Sequence, residues 1–195
     1  MTIKHTEWWI VPSAQVAGQA AYQLSHADYV VGPIHTQRYL CYKNHDGHPN
    51  FMPTGDLMMA LRKTLDHYPM LYGRLAYRED GECEIQPSSR GVRFVEVASS
   101  DSIAAYEPDW PQGAFPPEWQ AVTGGTLDAT SLFAVRLTRF ADNTGLVLCV
   151  AYNHYLSDEE GFMPFMKMWS AFVRGDTAPL PSHDRHLLRL ASAAH

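Results

Sequence analysis

The chain has 195 residues, 46% of them apolar and 18% charged, with a formal net charge of -6. That is enough for one sizeable soluble domain with its own core. The acidic balance, with no basic run to offset repulsion from phosphates, argues against a nucleic-acid partner, and the longest apolar run is far short of a membrane span.

The N-terminus, Met1-Thr2-Ile3-Lys4-His5, lacks the apolar core of a signal peptide. Cys41, Cys83 and Cys149 are widely spaced and form no metal-like or redox pair. A reducing, cytoplasmic location is therefore expected. His45 and His48 bracket a glycine, and His183 and His186 lie near the C-terminus. Both pairs read as loop residues, and no metal site is expected.

In chain order, residues 3–11 alternate loosely and Pro12 stops them, which suits a first strand. Residues 13–36 carry Gly18 and Pro33 and read as an ordered loop anchored by Leu24 and Tyr29. Tyr39-Leu40-Cys41-Tyr42 suits a second strand, closed by the turn-rich stretch 44–50. Thr54 offers an N-cap, and Leu57, Met58, Leu61 and Leu65 share one face, so 55–67 is a helix that Pro69 ends. Short strands follow: Leu75 to Tyr77, a turn at Glu79-Asp80-Gly81, Cys83 to Gln86, then Val92 to Val97. Residues 106–126, with four prolines, are mostly irregular. Leu132 to Phe140 alternates like a half-buried strand, and Asp142-Asn143-Thr144-Gly145 turns the chain back.

The apolar run Leu146-Val147-Leu148-Cys149-Val150-Ala151 is then a buried strand, and Phe162, Phe165, Met166, Trp169, Phe172 and Val173 mark one face of a helix. The expected fold is mixed α/β, an α+β domain with helices on one side of a mixed, mainly antiparallel sheet. Residues 1–175 form one lobe. The shift to Thr177-Ala178-Pro179-Leu180-Pro181 makes 176–195 a linker or tail.

His154 falls between that strand and that helix, in Tyr152-Asn153-His154-Tyr155-Leu156-Ser157-Asp158. A satisfied structural histidine is the plain reading of this segment alone. The chemical reading is a general base: an imidazole near its ordinary pKa takes a proton from a hydroxyl or amine attacking a carbonyl such as a thioester. Asp158 either holds the ring's other nitrogen or pairs with an arginine to fix the loop. Ser157 is a candidate helix N-cap, and Asp158, Glu159 and Glu160 then complement the helix dipole.

Several segments together resemble the N-terminal half of a BAHD acyltransferase, with the hydroxycinnamoyl-transferase branch as the nearest pattern. His154 to Asp158 fits the family's H-x-x-x-D. Leu24-Ser25 with Asp28, Pro33-Ile34-His35-Thr36, and Tyr68-Pro69-Met70 before Gly73-Arg74-Leu75 follow in the family's order. Asp80-Gly81 with Glu84-Ile85, Gly91-Val92 with Phe94-Val95-Glu96, Thr138 with Phe140, Trp169, Arg174-Gly175, and Asp184-Arg185 with Leu187-Leu188 continue it.

The resemblance implies a lobe of the chloramphenicol-acetyltransferase type, also found in peptide-synthetase condensation domains. Its active site lies in a tunnel between two lobes. It implies His154 as general base, Asp158 as a supporting residue held by an arginine, and His35 and Thr36 on the tunnel wall near the substrate. Acyl-CoA would be a co-substrate rather than a bound cofactor, and a small-molecule hydroxyl or amine the acceptor. Glu159 stands where the family motif has glycine, placing bulk and charge beside the tunnel. The family's D-F-G-W-G segment does not occur in these residues, so a second lobe in trans or a homodimer would complete the site. Two other readings are a lone lobe reused as a CoA-independent cyclase or isomerase, and a non-catalytic accessory protein whose apolar face takes a partner.

Overall fold

A computed structural model describes residues 5–79, 81–107, 110, 115–121 and 131–183. The elements are β1 (His5–Ile10), α1 (Ala14–Ala17), β2 (Tyr22–Gln23), β3 (His35–Lys43), α2 (Thr54–Asp66), β4 (Arg74–Tyr77), β5 (Cys83–Gln86), β6 (Val92–Ala98), β7 (Phe133–Arg139), β8 (Gly145–Asn153) and α3 (Glu159–Val173).

The main sheet has the order β1-β6-β7-β8-β3. Only β6 and β7 pair in parallel, and the other neighbours are antiparallel. The mixed, mainly antiparallel character read from the sequence is therefore present. The short strands separate into a second sheet, β2-β5-β4. Its small core, Leu24, Leu75, Cys83 and Ile85, also takes in Tyr29 and Tyr155. The expected anchors of the early loop, Leu24 and Tyr29, thus lie where long-range strands meet.

One face of the main sheet carries α2 and α3. Alternate residues of β8, Leu146, Leu148, Val150 and Tyr152, meet Leu57, Leu61 and Leu65 of α2 and Phe162, Phe165 and Trp169 of α3. That pattern follows from the period of two along a strand and the i, i+4 spacing along a helix. The opposite face, with Val147, Cys149 and Ala151, is covered by Trp119, Phe115, Ile103 and Ala121. In the stretch expected to be irregular, 106–126, the described residues hold only the last residue of one 3-10 turn, Ile103–Tyr106, and a second turn, Pro117–Trp119.

Four local expectations are corrected. The second strand runs from His35 to Lys43, so His35 and Thr36 are ladder residues rather than loop residues. Residues 13–36 are not a plain loop: they include α1, β2 and a 3-10 turn, His26–Val30. Pro53 is the N-cap of α2, and Thr54 instead donates its hydroxyl to Glu96 Oε1 at 2.8 Å. Asp158, not Ser157, caps α3. The turn residue Asp80 and the segment Asp184 to Leu188 lie outside the described residues.

Candidate active site

β8 ends at Asn153, whose side chain is fully buried. A buried amide must find partners for its polar atoms, and here those partners shape the turn. Asn153 Oδ1 accepts from Tyr155 N at 3.1 Å, and Nδ2 donates to Pro33 O at 3.3 Å. The backbone N–H of Asn153 donates to Leu132 O, that of Leu156 to Asn153 O, and that of His154 to Ile34 O at 2.8 Å. Tyr155 is buried beside Tyr29, with ring centroids 5.5 Å apart. His154 therefore stands on a backbone tied to β3, β7 and the small sheet. Its own side chain is only partly buried, and no described residue hydrogen-bonds its ring. An imidazole fixed at its base with an unengaged edge can exchange a proton with a ligand.

The helix beyond the turn is held at its first residues. Asp158 Oδ1 accepts from Gly161 N at 2.9 Å, which satisfies one of the N–H groups a helix start leaves open. A Cβ on Gly161 would lie 2.4 Å from Ser157 Oγ, so a larger residue there would make the serine hydroxyl turn aside. Among the described residues Asp158 forms no ion pair with an arginine and no hydrogen bond with the His154 ring.

The arginine near this turn belongs to Glu159. Arg38 Nε donates to Glu159 Oε2 at 2.7 Å, and Arg38 Nη2 reaches the same oxygen. Arg38 also lies beside the Tyr152 phenol, as does Thr36. The charge that replaces the motif glycine is thus neutralised at the β3 edge. Arg38 and Asn153 went unnoticed in the sequence: Arg38 is 121 residues from its partner, and only an asparagine at the end of an apolar run hinted at the other.

The structure places all four sequence-derived site residues around this junction. His35 is the ladder partner of Asn153 and Thr36 that of Tyr152. His35 Nε2 lies 3.0 Å from Ser131 O. A carbonyl oxygen only accepts, so Nε2 carries the proton and Nδ1 is left as an acceptor. Burial pulls the His35 pKa below its ordinary 6.5, against the opposing pull of the Ser131 carbonyl. As pH falls below about 6.5, the unfolded chain takes up this proton before the folded one. The stability contribution is complete above that value and is lost as pH drops through the lower folded value. Melting curves of wild type and His35→Gln between pH 5 and 7.5 are expected to differ most at the alkaline end. A constant difference across the range would contradict the neutral assignment.

Cys149, on the same sheet face as His35, is no nucleophile. Burial pushes its thiol up to about 11, and its Sγ sits 3.4 Å from Gln37 Oε1. Arg74, from the Gly73-Arg74-Leu75 segment, is structural: its guanidinium donates to the carbonyls of Tyr72, Gly73 and Gly91. No group of three or more metal-ligating side chains occurs among the described residues. No described helix is long and apolar enough to cross a membrane.

The Transferase family profile matches residues 1–193. The chain belongs to this family, the BAHD acyltransferases. Similar relatives include a hydroxycinnamoyltransferase of Narcissus pseudonarcissus, 31% identical over 97% of this chain and 43% of that protein. A shikimate O-hydroxycinnamoyltransferase of Nicotiana tabacum is 31% identical over 92% of this chain and 41% of that protein. The chain spans less than half the length of these curated relatives. Among solved structures, vinorine synthase matches with a TM-score of 0.74 at 24% identity, covering 95% of this chain and 47% of that one. The TRI101 protein of F. sporotrichioides, complexed with coenzyme A and T-2, matches at 0.63 and 18% identity, covering 82% of this BAHD chain and 42% of that one. The BAHD fold read from the sequence is thus the fold observed.

Proposed function

We propose that this chain is the N-terminal lobe of a CoA-dependent acyltransferase, moving an acyl group from a thioester to a hydroxyl or amine with His154 as general base. The observation that carries the reading is the partly exposed imidazole on a turn immobilised by buried Asn153, within an H-x-x-x-D segment of a BAHD chain. His154 takes the proton of the acceptor O–H or N–H as that atom attacks the thioester carbonyl. Collapse of the tetrahedral intermediate breaks the C–S bond, and the imidazolium returns the proton to the departing thiolate. Asp158 supports the loop by capping α3, and His35 and Thr36 border the acceptor side.

A second lobe completes the tunnel. Two apolar residues near the turn support this: Val30 is 82% exposed and Ile34 is 55% exposed, and a covering surface would bury them. The neutralised Glu159 keeps its charge from opposing CoA phosphates.

The test is a chimera in which residues 1–193 replace the corresponding part of the tobacco shikimate O-hydroxycinnamoyltransferase. Thiol release from hydroxycinnamoyl-CoA in the presence of shikimate reports turnover. The chimera is expected to turn over, and the 195-residue chain alone to show none. A folded chimera without acyl transfer overturns the reading.

A further inference from the structure

A second feature lies on the helix-bearing face, away from His35. A cavity of about 400 Å³ opens between the first two turns of α3, the segment Tyr68–Leu71 and residues 181–183. We propose that it is a binding site for a neutral, hydroxyl-bearing aromatic compound of one or two fused rings.

The volume falls in the range of small-molecule pockets, and its walls are aromatic. Tyr152 and Phe162 stack with centroids 4.2 Å apart, and Phe165 meets Phe133 edge-on at 5.0 Å. Flat rings gain most from such walls, because stacked and edge contacts add to simple burial. Among the described lining residues there is no lysine, arginine, aspartate or glutamate. A ligand charge would lose its hydration there without a counter-charge, so the site selects neutral molecules.

The polar groups of the lining include Ser157, Ser182 and His183. His183 is fixed in tautomer: Nε2 lies 2.6 Å from His67 O, so it must donate, and the ring's remaining nitrogen is an acceptor. Its ring also packs edge-on against Tyr68 at 5.3 Å, which holds it at the cavity wall. An acceptor held beside aromatic walls matches a ligand hydroxyl.

The probe is 2-naphthol at pH 7.5, followed by its fluorescence on titration with the 195-residue chain. Saturable binding with a Kd below about 1 mM is expected. The anionic analogue 2-naphthoate should bind at least about tenfold more weakly. Ser182→Trp, an exposed loop substitution at the cavity edge, should weaken 2-naphthol binding by about tenfold or more, with unchanged circular dichroism. No saturation, equal affinity for 2-naphthoate, or unaltered binding to Ser182→Trp each overturns the proposal. The assay contains no CoA and reads no turnover, so its failure leaves the acyl-transfer reading standing, and an inactive chimera leaves this site standing.

Discussion

His154→Ala in the two-lobe chimera is expected to lower kcat by about 10²–10⁴-fold, the range a positioned general base supplies. The Michaelis constants for both substrates should change little, because the imidazole acts on a proton that moves only in the transition state. The backbone around it is held by Asn153, Leu132 and Ile34 rather than by the ring, so the variant should fold and melt like wild type. Asp158→Asn supplies the contrast. Asparagine caps helices about as well as aspartate, so the bond to Gly161 N survives the loss of charge. Since Asp158 acts as a cap, this variant should stay within a few-fold of wild-type turnover. Should Asp158→Asn instead fall as far as His154→Ala, the carboxylate would be acting through the ring. Turnover unaffected by His154→Ala would remove the histidine from the chemistry altogether.

These two outcomes depend on features of very different visibility in the sequence. β7 and β8 were legible because burial writes itself into side-chain pattern. Phe133, Val135 and Leu137 alternate, and the continuous apolar run 146–151 is covered on both sheet faces. The placement of His154 at the strand end followed directly. The N-terminal half of β3 was hidden because His35-Thr36-Gln37-Arg38 has no apolar pattern and follows Pro33. Its pairing with β8 rests on backbone hydrogen bonds, which are indifferent to composition. The two caps were misplaced by one residue for a related reason. Serine or aspartate at neighbouring positions caps equally well on paper, and only the three-dimensional entry angle selects Asp158. Thr54 was diverted by a partner far away in the chain, Glu96. The Arg38–Glu159 pair and the separate β2-β5-β4 sheet are long-range in the same sense. The family resemblance supplied the motif, but not that Arg38 pairs with the glutamate standing where the motif has glycine.

The largest stability effect is expected at Trp169, a large buried side chain of α3 that packs in the core shared with α2 and the sheet. The indole is buried against the sheet and α2, and its Nε1 donates to Leu57 O at 3.0 Å, joining the two helices directly. Trp169→Ala removes one of the largest buried side chains and leaves a void that two packed helices cannot close. A loss of about 3–5 kcal/mol follows from the burial and cavity effects together. For a chain of this size that corresponds to a fall in melting temperature of roughly 6–20 °C. Trp169→Phe keeps an aromatic ring at the site and removes the Leu57 hydrogen bond, which is worth about 1 kcal/mol. It should therefore retain most of the stability lost by the alanine variant. Met59, on the exposed side of α2 at 58% exposure, gives the baseline, with Met59→Ala within about 0.5 kcal/mol of wild type. Denaturant melts of the three variants decide the matter. A Trp169→Ala loss no larger than that of Met59→Ala would mean that α3 is not anchored by this packing. Because α3 begins at the Asp158 cap, hydrogen exchange at residues 154–161 should accelerate in Trp169→Ala and stay slow in Trp169→Phe. The geometry around His154 therefore depends on an indole eleven residues beyond Asp158.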